Sequence, residues 1–80
     1  MKKTDIKIVR YVVDGYSDHF YVDVVELEDQ YEAWLGHVQY GYSDFMFGIL
    51  KKYGDLNYAL HLIEANVDDY IASYQEKYYD

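Results

Sequence analysis

The sequence predicts an α+β fold, in which a four-stranded antiparallel meander carries one long C-terminal helix on one face of the sheet. Two observations lead to this fold class. Up to about residue 51, apolar and polar residues alternate with a period of two, which is typical of half-exposed strands. From residue 55, apolar residues recur at three- and four-residue spacings, which indicates an amphipathic helix. We expect a single ββββα domain over residues 1–80, because neither the sheet nor the helix alone would bury its apolar side.

Four segments carry the alternating pattern. Asp14-Gly15 is a hairpin turn signal between the first two segments, and Glu28-Asp29-Gln30 is a polar turn between the next two. Short connections make sequential strands neighbours, although another strand order remains open from the sequence alone. The strands are expected at residues 6–13, 19–27, 31 to 37 or 38, and 45–51.

The helix is expected from Leu56 to Tyr74 or beyond. Gly54 supplies a break in the pattern and Asp55 is a suitable N-cap. A break near Asn66 remains open, because asparagine and aspartate are poor helix formers. The centre of the stripe that should face the sheet is formed by Leu60, Ile63 and Val67.

The alternation also predicts which face of the sheet the helix covers. The opposite face would then expose Tyr21, Asp23, Trp34 and Met46. An exposed tryptophan beside a methionine usually marks a contact surface for a partner protein. The inverted assignment, with Trp34 in the core, remains open. The residues expected beneath the helix are Phe20, Val22, Val24, Tyr31, Ala33, Leu35, Phe45, Phe47 and Ile49.

Charge limits the partners of this chain. Fifteen acidic residues oppose seven basic ones, which gives a formal net charge of −8. Such a surface repels phosphate backbones and anionic membranes but attracts basic protein surfaces. There is no cysteine, so disulfides and thiolate metal sites are excluded. The N-terminus has no apolar signal-peptide core and no run is long enough to span a bilayer, so we expect a cytoplasmic protein.

The tetrapeptide Gly-Tyr-Ser-Asp occurs twice, at residues 15–18 and 41–44. If both copies are hairpin loops, a meander places them at one end of the sheet, which we call the loop end. The last helical turns should overhang the same end, because the helix is longer than the strands. The alternative explanation of the repeat is that turns prefer glycine, serine and aspartate for backbone reasons.

Tyrosine rings and carboxylates at the loop end would suit a partner surface rich in arginine and lysine. Rings stack on guanidinium planes, and carboxylates pair with the cations. The second candidate surface is the uncovered sheet face around the single tryptophan. The candidate partner-binding residues are therefore Asp14, Tyr16, Asp18, Trp34, Tyr42 and Asp44.

The sequence contains no motif that indicates catalysis. His19, His37 and His61 stand alone, without the spacing of metal ligands. No serine has the context of an activated nucleophile, and there is no glycine-rich phosphate loop. We therefore expect no enzymatic activity, no cofactor and no metal site.

In overall character, the chain resembles the small acidic proteins with which phages and mobile elements disable host nucleic-acid machinery, the DNA mimics and anti-CRISPR proteins. The resemblance rests on the short length, the acidic excess, the absence of cysteine and the compact ββββα plan. It rests on no shared motif, so no functional residue is carried over. It implies an inhibitor in the host cytoplasm that occupies the basic site of a nucleic-acid-binding protein, such as a CRISPR effector.

The alternative function is a non-catalytic binding or assembly module, in which the sheet face around Trp34 makes the contact and a homodimer is one outcome. A small enzyme or ligand-binding domain is a third class. Salt separates the first two, because charge-driven binding weakens with ionic strength and burial of apolar surface does not.

Overall fold

The computed structural model describes residues 6–15 and 19–79. Its strands are neighbours in chain order, each antiparallel to the next, and the helix follows the last strand. The predicted α+β meander with a C-terminal helix is therefore confirmed. The elements are β1 (Lys7–Val12), β2 (Phe20–Glu26), β3 (Gln30–His37), β4 (Ser43–Leu50) and α1 (Leu56–Tyr78).

The helix begins where the sequence predicts and continues one turn beyond Tyr74. The Asp55 side chain caps its first turn by accepting a hydrogen bond from the Tyr58 amide at 3.0 Å. The helix does not break at Asn66, whose side-chain amide donates to the Leu62 carbonyl at 2.8 Å. The last turns reach the loop end, as the difference in length between helix and strands predicts.

The core lies between α1 and one face of the sheet, which we call the covered face. The helix packs mainly over β3 and β4, so β1 receives little cover. Ile63 and Val67 are buried as predicted, but Leu60 is only partly buried, because it lines an open groove next to β1. The most deeply buried side chains are Phe20, Val22, Leu35, His37, Ile71 and Tyr74.

An irregularity in β4 corrects two face assignments. Trp34 pairs with Phe45 and Ala33 pairs with Phe47, so Met46 is an extra residue opposite β3. Met46 is 6% exposed in the core, whereas Phe45 is 50% exposed on the opposite face. The predictions that the helix covers Phe45 and that Met46 is open are therefore wrong. A bulge reverses the alternation on one side of the extra residue, which a strict period of two cannot show.

Candidate functional site

The sheet face turned away from α1, which we call the open face, has no described element packed on it. The pairing register places alternate residues of each strand there, and the predicted location of Trp34 on the uncovered side agrees with it. Phe45 joins this face through the β4 bulge. The open face is formed by Ile8, Arg10, Val12, Tyr21, Asp23, Val25, Gln30, Glu32, Trp34, Gly36, Ser43, Phe45, Gly48 and Leu50.

A row of paired side chains crosses the open face from β1 to β4. Arg10 donates from Nε and Nη2 to the two carboxylate oxygens of Asp23, at 2.8 and 3.0 Å. These hydrogen bonds to Asp23 raise the pKa of Arg10, which favours the charged guanidinium. Trp34 follows on β3, with its indole N–H donating to Glu32 at 3.2 Å and its ring against the edge of Phe45 at 5.2 Å between centroids. The row therefore begins with an ion pair between β1 and β2 and ends with an aromatic pair between β3 and β4.

Gly36 makes room for the aromatic ring of Tyr21 beside this row. The Tyr21 ring lies directly over Gly36, and a Cβ at that position would come within 2.3 Å of the ring. The Arg10 guanidinium lies over the same ring, 3.7 Å from its centroid. The mid-strand glycine is thus explained by close approach of a side chain.

The open face carries several exposed apolar side chains. Ile8 and Val12 are 58% and 56% exposed, and Leu50 is also exposed at the far edge. Its charges are those of the Arg10–Asp23 pair and of Glu32, so almost all of the net charge of −8 lies elsewhere on the chain. Such a nearly neutral, apolar and uncovered surface is able to bury area against another protein.

The loop end holds a second cluster, in which the end of α1 contacts β4. Tyr78 donates from its hydroxyl to Asp44 at 2.6 Å, and Lys77 lies 3.5 Å from the same carboxylate. The hydrogen bond to Asp44 raises the pKa of Tyr78. The ring of Tyr42 stacks on that of Tyr78 at 4.7 Å between centroids. Asp44 is therefore already paired within the chain, and Tyr42 keeps one exposed side.

A buried histidine at the loop end forms hydrogen bonds with the turn that follows β3 and with the end of α1. His37 Nδ1 accepts from the amides of Gln39 and Tyr40, at 3.1 and 3.3 Å, so this nitrogen carries no proton. Nε2 therefore carries it and donates to the hydroxyl of Tyr79 at 3.1 Å. Burial, assisted by the neighbouring His19 ring, lowers the pKa of His37. The ring is held neutral by its surroundings, which makes it a structural group of the turn.

Tyr74 fastens the helix to the same turn. Its hydroxyl donates to the carbonyl of Tyr42 at 2.8 Å, and its ring lies edge-on to Phe20. Burial, with smaller contributions from Tyr78 and Asp44, raises the pKa of Tyr74 to about 12. The position of the second Gly-Tyr-Ser-Asp copy is thus set by contacts with α1.

Of the first copy of the repeat only Gly15 lies within the described residues, whereas the second copy is described in full. Gly15 and Gly41 both adopt positive φ, at 87° and 76°, which supports the backbone explanation of the repeat. In the second copy Ser43 and Asp44 are the first residues of β4, so the prediction that all four form a loop is wrong. Gly15 follows β1 and the second copy leads into β4, so these two lie at the same end of the sheet and at opposite sides of it.

The predicted binding residues accordingly separate into three places. Trp34 lies on the open face, and Tyr42 and Asp44 contact the end of α1. Asp14 is exposed beside β1, where it faces α1 near its middle. Tyr16 and Asp18 lie outside the described residues.

Sequence reasoning missed two residues of these surfaces. His37 shares the covered face with Leu35, and this continued alternation was the signal that would have placed it in the core. Phe45 had no such signal, because Phe45, Met46 and Phe47 are all apolar and any one of them suits the core.

Comparison of the chain with protein-family models, with curated proteins and with solved structures yields no match. Over residues 6–15 and 19–79, α1 is the one helix, and it is not apolar enough to cross a membrane. In the same part of the chain, no three metal-ligating side chains come together.

Proposed function

We propose that the protein is a non-catalytic interaction module that binds another protein through the open face. The observation that carries this proposal is the exposure of Ile8, Val12 and Phe45 on a face that no described element covers. Apolar patches of this kind on small proteins mark contact surfaces, because their hydration is unfavourable until a partner covers them. The half-buried ring of Trp34 lies at the centre, where binding energy concentrates in protein interfaces.

The distribution of charge indicates the chemistry of the partner. The open face is nearly neutral, while the surrounding surface is strongly acidic. Two copies meeting face to face would bring two chains of charge −8 together, which opposes association. A partner whose apolar patch is bordered by lysine and arginine would instead be attracted at long range and then bury the patch.

Substitution of Phe45 tests this proposal. Partners are captured from the source organism and titrated into the purified protein, with the single tryptophan, Trp34, as the fluorescent reporter. We expect Phe45→Ser to weaken binding roughly tenfold or more, as for a residue near the centre of an interface. The matched control is Tyr53→Ser, which removes an exposed aromatic ring away from the open face and should leave affinity unchanged.

Equal affinity of the parent and Phe45→Ser proteins would contradict the proposal. Sedimentation equilibrium of the protein alone provides the second decision. A dimer that Phe45→Ser dissociates would show that the open face serves assembly of two copies and not a basic partner.

A second candidate function is inhibition of a nucleic-acid-binding protein, such as a CRISPR effector, by occupation of its basic site. The exposed rings of Tyr40 and Tyr42 at the loop end favour it, because they offer stacking surfaces for guanidinium groups beside the carboxylate of Asp44. In this candidate, carboxylates stand in for the phosphates of the displaced nucleic acid.

Salt and competition separate the two candidates. Raising NaCl from about 0.05 M to about 0.5 M should weaken binding steeply for a phosphate mimic and little for open-face burial. A mimic must also compete with nucleic acid for the captured partner. If nucleic acid and this protein bind that partner together without interference, the inhibitor function is wrong.

A further inference from the structure

β1 is poorly protected for a strand at the edge of a sheet. All six of its residues are exposed or half-buried, including Ile8, Val9 and Val12. Of its two cations, Lys7 is its first residue, and Arg10 is held across the open face by Asp23 on the neighbouring strand, away from the edge. Edge strands are usually defended by charges, prolines or bulges, because their unpaired amides are a template for another strand. An apolar, regular edge of this kind suits addition of a strand.

The pairing of β1 with β2 determines which amides face the edge. The Val13 amide donates to the Phe20 carbonyl at 3.0 Å. Hydrogen-bonded pairs recur at every second residue of an antiparallel ladder, so the amide and carbonyl groups of Ile8, Arg10 and Val12 point away from β2. These three residues present a row of donors and acceptors along the edge.

A groove runs beside this edge on the covered side of the sheet. It exists because α1 packs mainly over β3 and β4, and it has a volume of about 410 Å³. Its floor is apolar, with Tyr11, Val22 and Leu60 among the lining residues. Among the described residues that line it, the charged ones are all acidic: Asp14, Glu64 and Asp68.

We propose that the edge of β1 and this groove bind an extended segment of another protein in which lysine or arginine alternates with apolar residues. The segment adds a fifth strand to the sheet beside β1. This inference goes beyond the proposed function, because it depends on the backbone edge of β1 and on the groove and uses neither Trp34 nor Phe45.

The proposed alternation of basic and apolar residues in the bound segment follows from the different surroundings on the two sides of β1. Side chains of an added strand point in turn toward the groove and toward the open face. On the groove side, the aliphatic stems of lysine or arginine cover Tyr11 and Leu60 while their charged ends reach Glu64 and Asp68. On the other side, apolar residues extend the surface of Ile8 and Val12. Charge complementarity therefore selects a basic segment over a second copy of this acidic chain.

A peptide of about eight residues that alternates lysine and valine is the probe. Nuclear magnetic resonance of the isotopically labelled full chain follows its binding. We expect the amides of Ile8, Arg10 and Val12 to become protected from hydrogen exchange, because they gain partners on the peptide. A peptide with glutamate in place of every lysine is expected to bind much more weakly, since the groove lining is acidic.

Two variants test the groove and the edge separately. Glu64→Lys should weaken peptide binding roughly threefold to tenfold, whereas Glu76→Lys, the same change on the exposed side of α1 outside the groove, should not. Ile8→Pro removes an amide that faces the edge and should abolish binding, while the ladder to β2 is kept. The dispersion of the spectrum shows whether each variant is folded.

Several outcomes would overturn the inference. These are the absence of amide protection at millimolar peptide, equal binding of the glutamate peptide, and equal loss of affinity in Glu64→Lys and Glu76→Lys. Dimerisation of the peptide-free protein through β1, seen as concentration-dependent protection of the same amides, would show that a second copy takes this edge. Loss of binding in Phe45→Ser with retention in Glu64→Lys would assign the peptide to the open face.

Discussion

The two faces of this sheet are made from neighbouring residues of the same strands, yet they differ in nearly every physical property. On the covered face, Phe20, Val22 and Leu35 are almost completely removed from solvent beneath α1. On the open face, the residues that alternate with them along the strands include exposed apolar side chains and an ion pair. If the open face binds a partner as proposed, stability and binding belong to opposite faces of the sheet, and substitutions should affect one without the other.

The largest expected effect comes from emptying the covered face. Ile71→Ala should lower the free energy of unfolding by roughly 2–5 kcal/mol, because Ile71 is 1% exposed and its loss leaves a cavity. The matched open-face change, Val12→Ala, should cost less than about 0.5 kcal/mol. Urea denaturation measures both values. Similar losses of unfolding free energy from the two substitutions would contradict this difference between the faces, since the open face would then also stabilise the fold.

The contrast between the faces was partly predictable from the sequence. Alternation in β2 and β3 placed Val22, Leu35 and Trp34 on their correct sides, and helical spacing placed Ile63 and Val67 in the core. Local periodicity is sufficient for these elements, because each side chain's environment follows from its place in one regular pattern.

Two features were not predictable in this way. The bulge in β4 lies in a run of three apolar residues, so either register of Phe45 and Met46 satisfies the alternation equally well. The pairing of Asp44 with Lys77 and Tyr78 joins residues more than thirty positions apart and depends on how α1 lies over the sheet. Tertiary packing, which local spacing does not encode, decides both.

A second, smaller effect on the free energy of unfolding should come from His37, a titratable side chain buried on the covered face. The pKa of His37 is lowered in the fold, so the unfolded chain binds a proton more readily than the folded one. The contribution of neutral His37 to stability is therefore complete above the ordinary pKa of about 6.5 and is lost as pH falls below it. We expect His37 to add a slope of at most about 1.4 kcal/mol per pH unit to the free energy of unfolding.

The matched variant for His37 is His37→Asn. Asparagine keeps a side-chain acceptor for the turn amides of Gln39 and Tyr40 but takes up no proton. The difference in unfolding free energy between the parent and His37→Asn should narrow between about pH 7.5 and pH 5.5, because only the parent loses this contribution there. A difference that stays constant over this range would show that His37 titrates alike in both states.

The smallest expected effect concerns two glycines on the open face itself. Gly36 and Gly48 both lie inside strands, where alanine usually stabilises by about 0.5–1 kcal/mol relative to glycine. At Gly48 a new Cβ would meet its nearest atom at an ordinary 3.6 Å, so Gly48→Ala should show this gain. At Gly36 it would come within 2.3 Å of the Tyr21 ring, which must move and thereby leave the Arg10 guanidinium. Gly36→Ala should therefore show no gain or a small loss. Thermal unfolding of the two variants measures this difference in stability. An equal gain in stability in both variants would mean that the Tyr21 ring over Gly36 moves freely and does not define the shape of the open face.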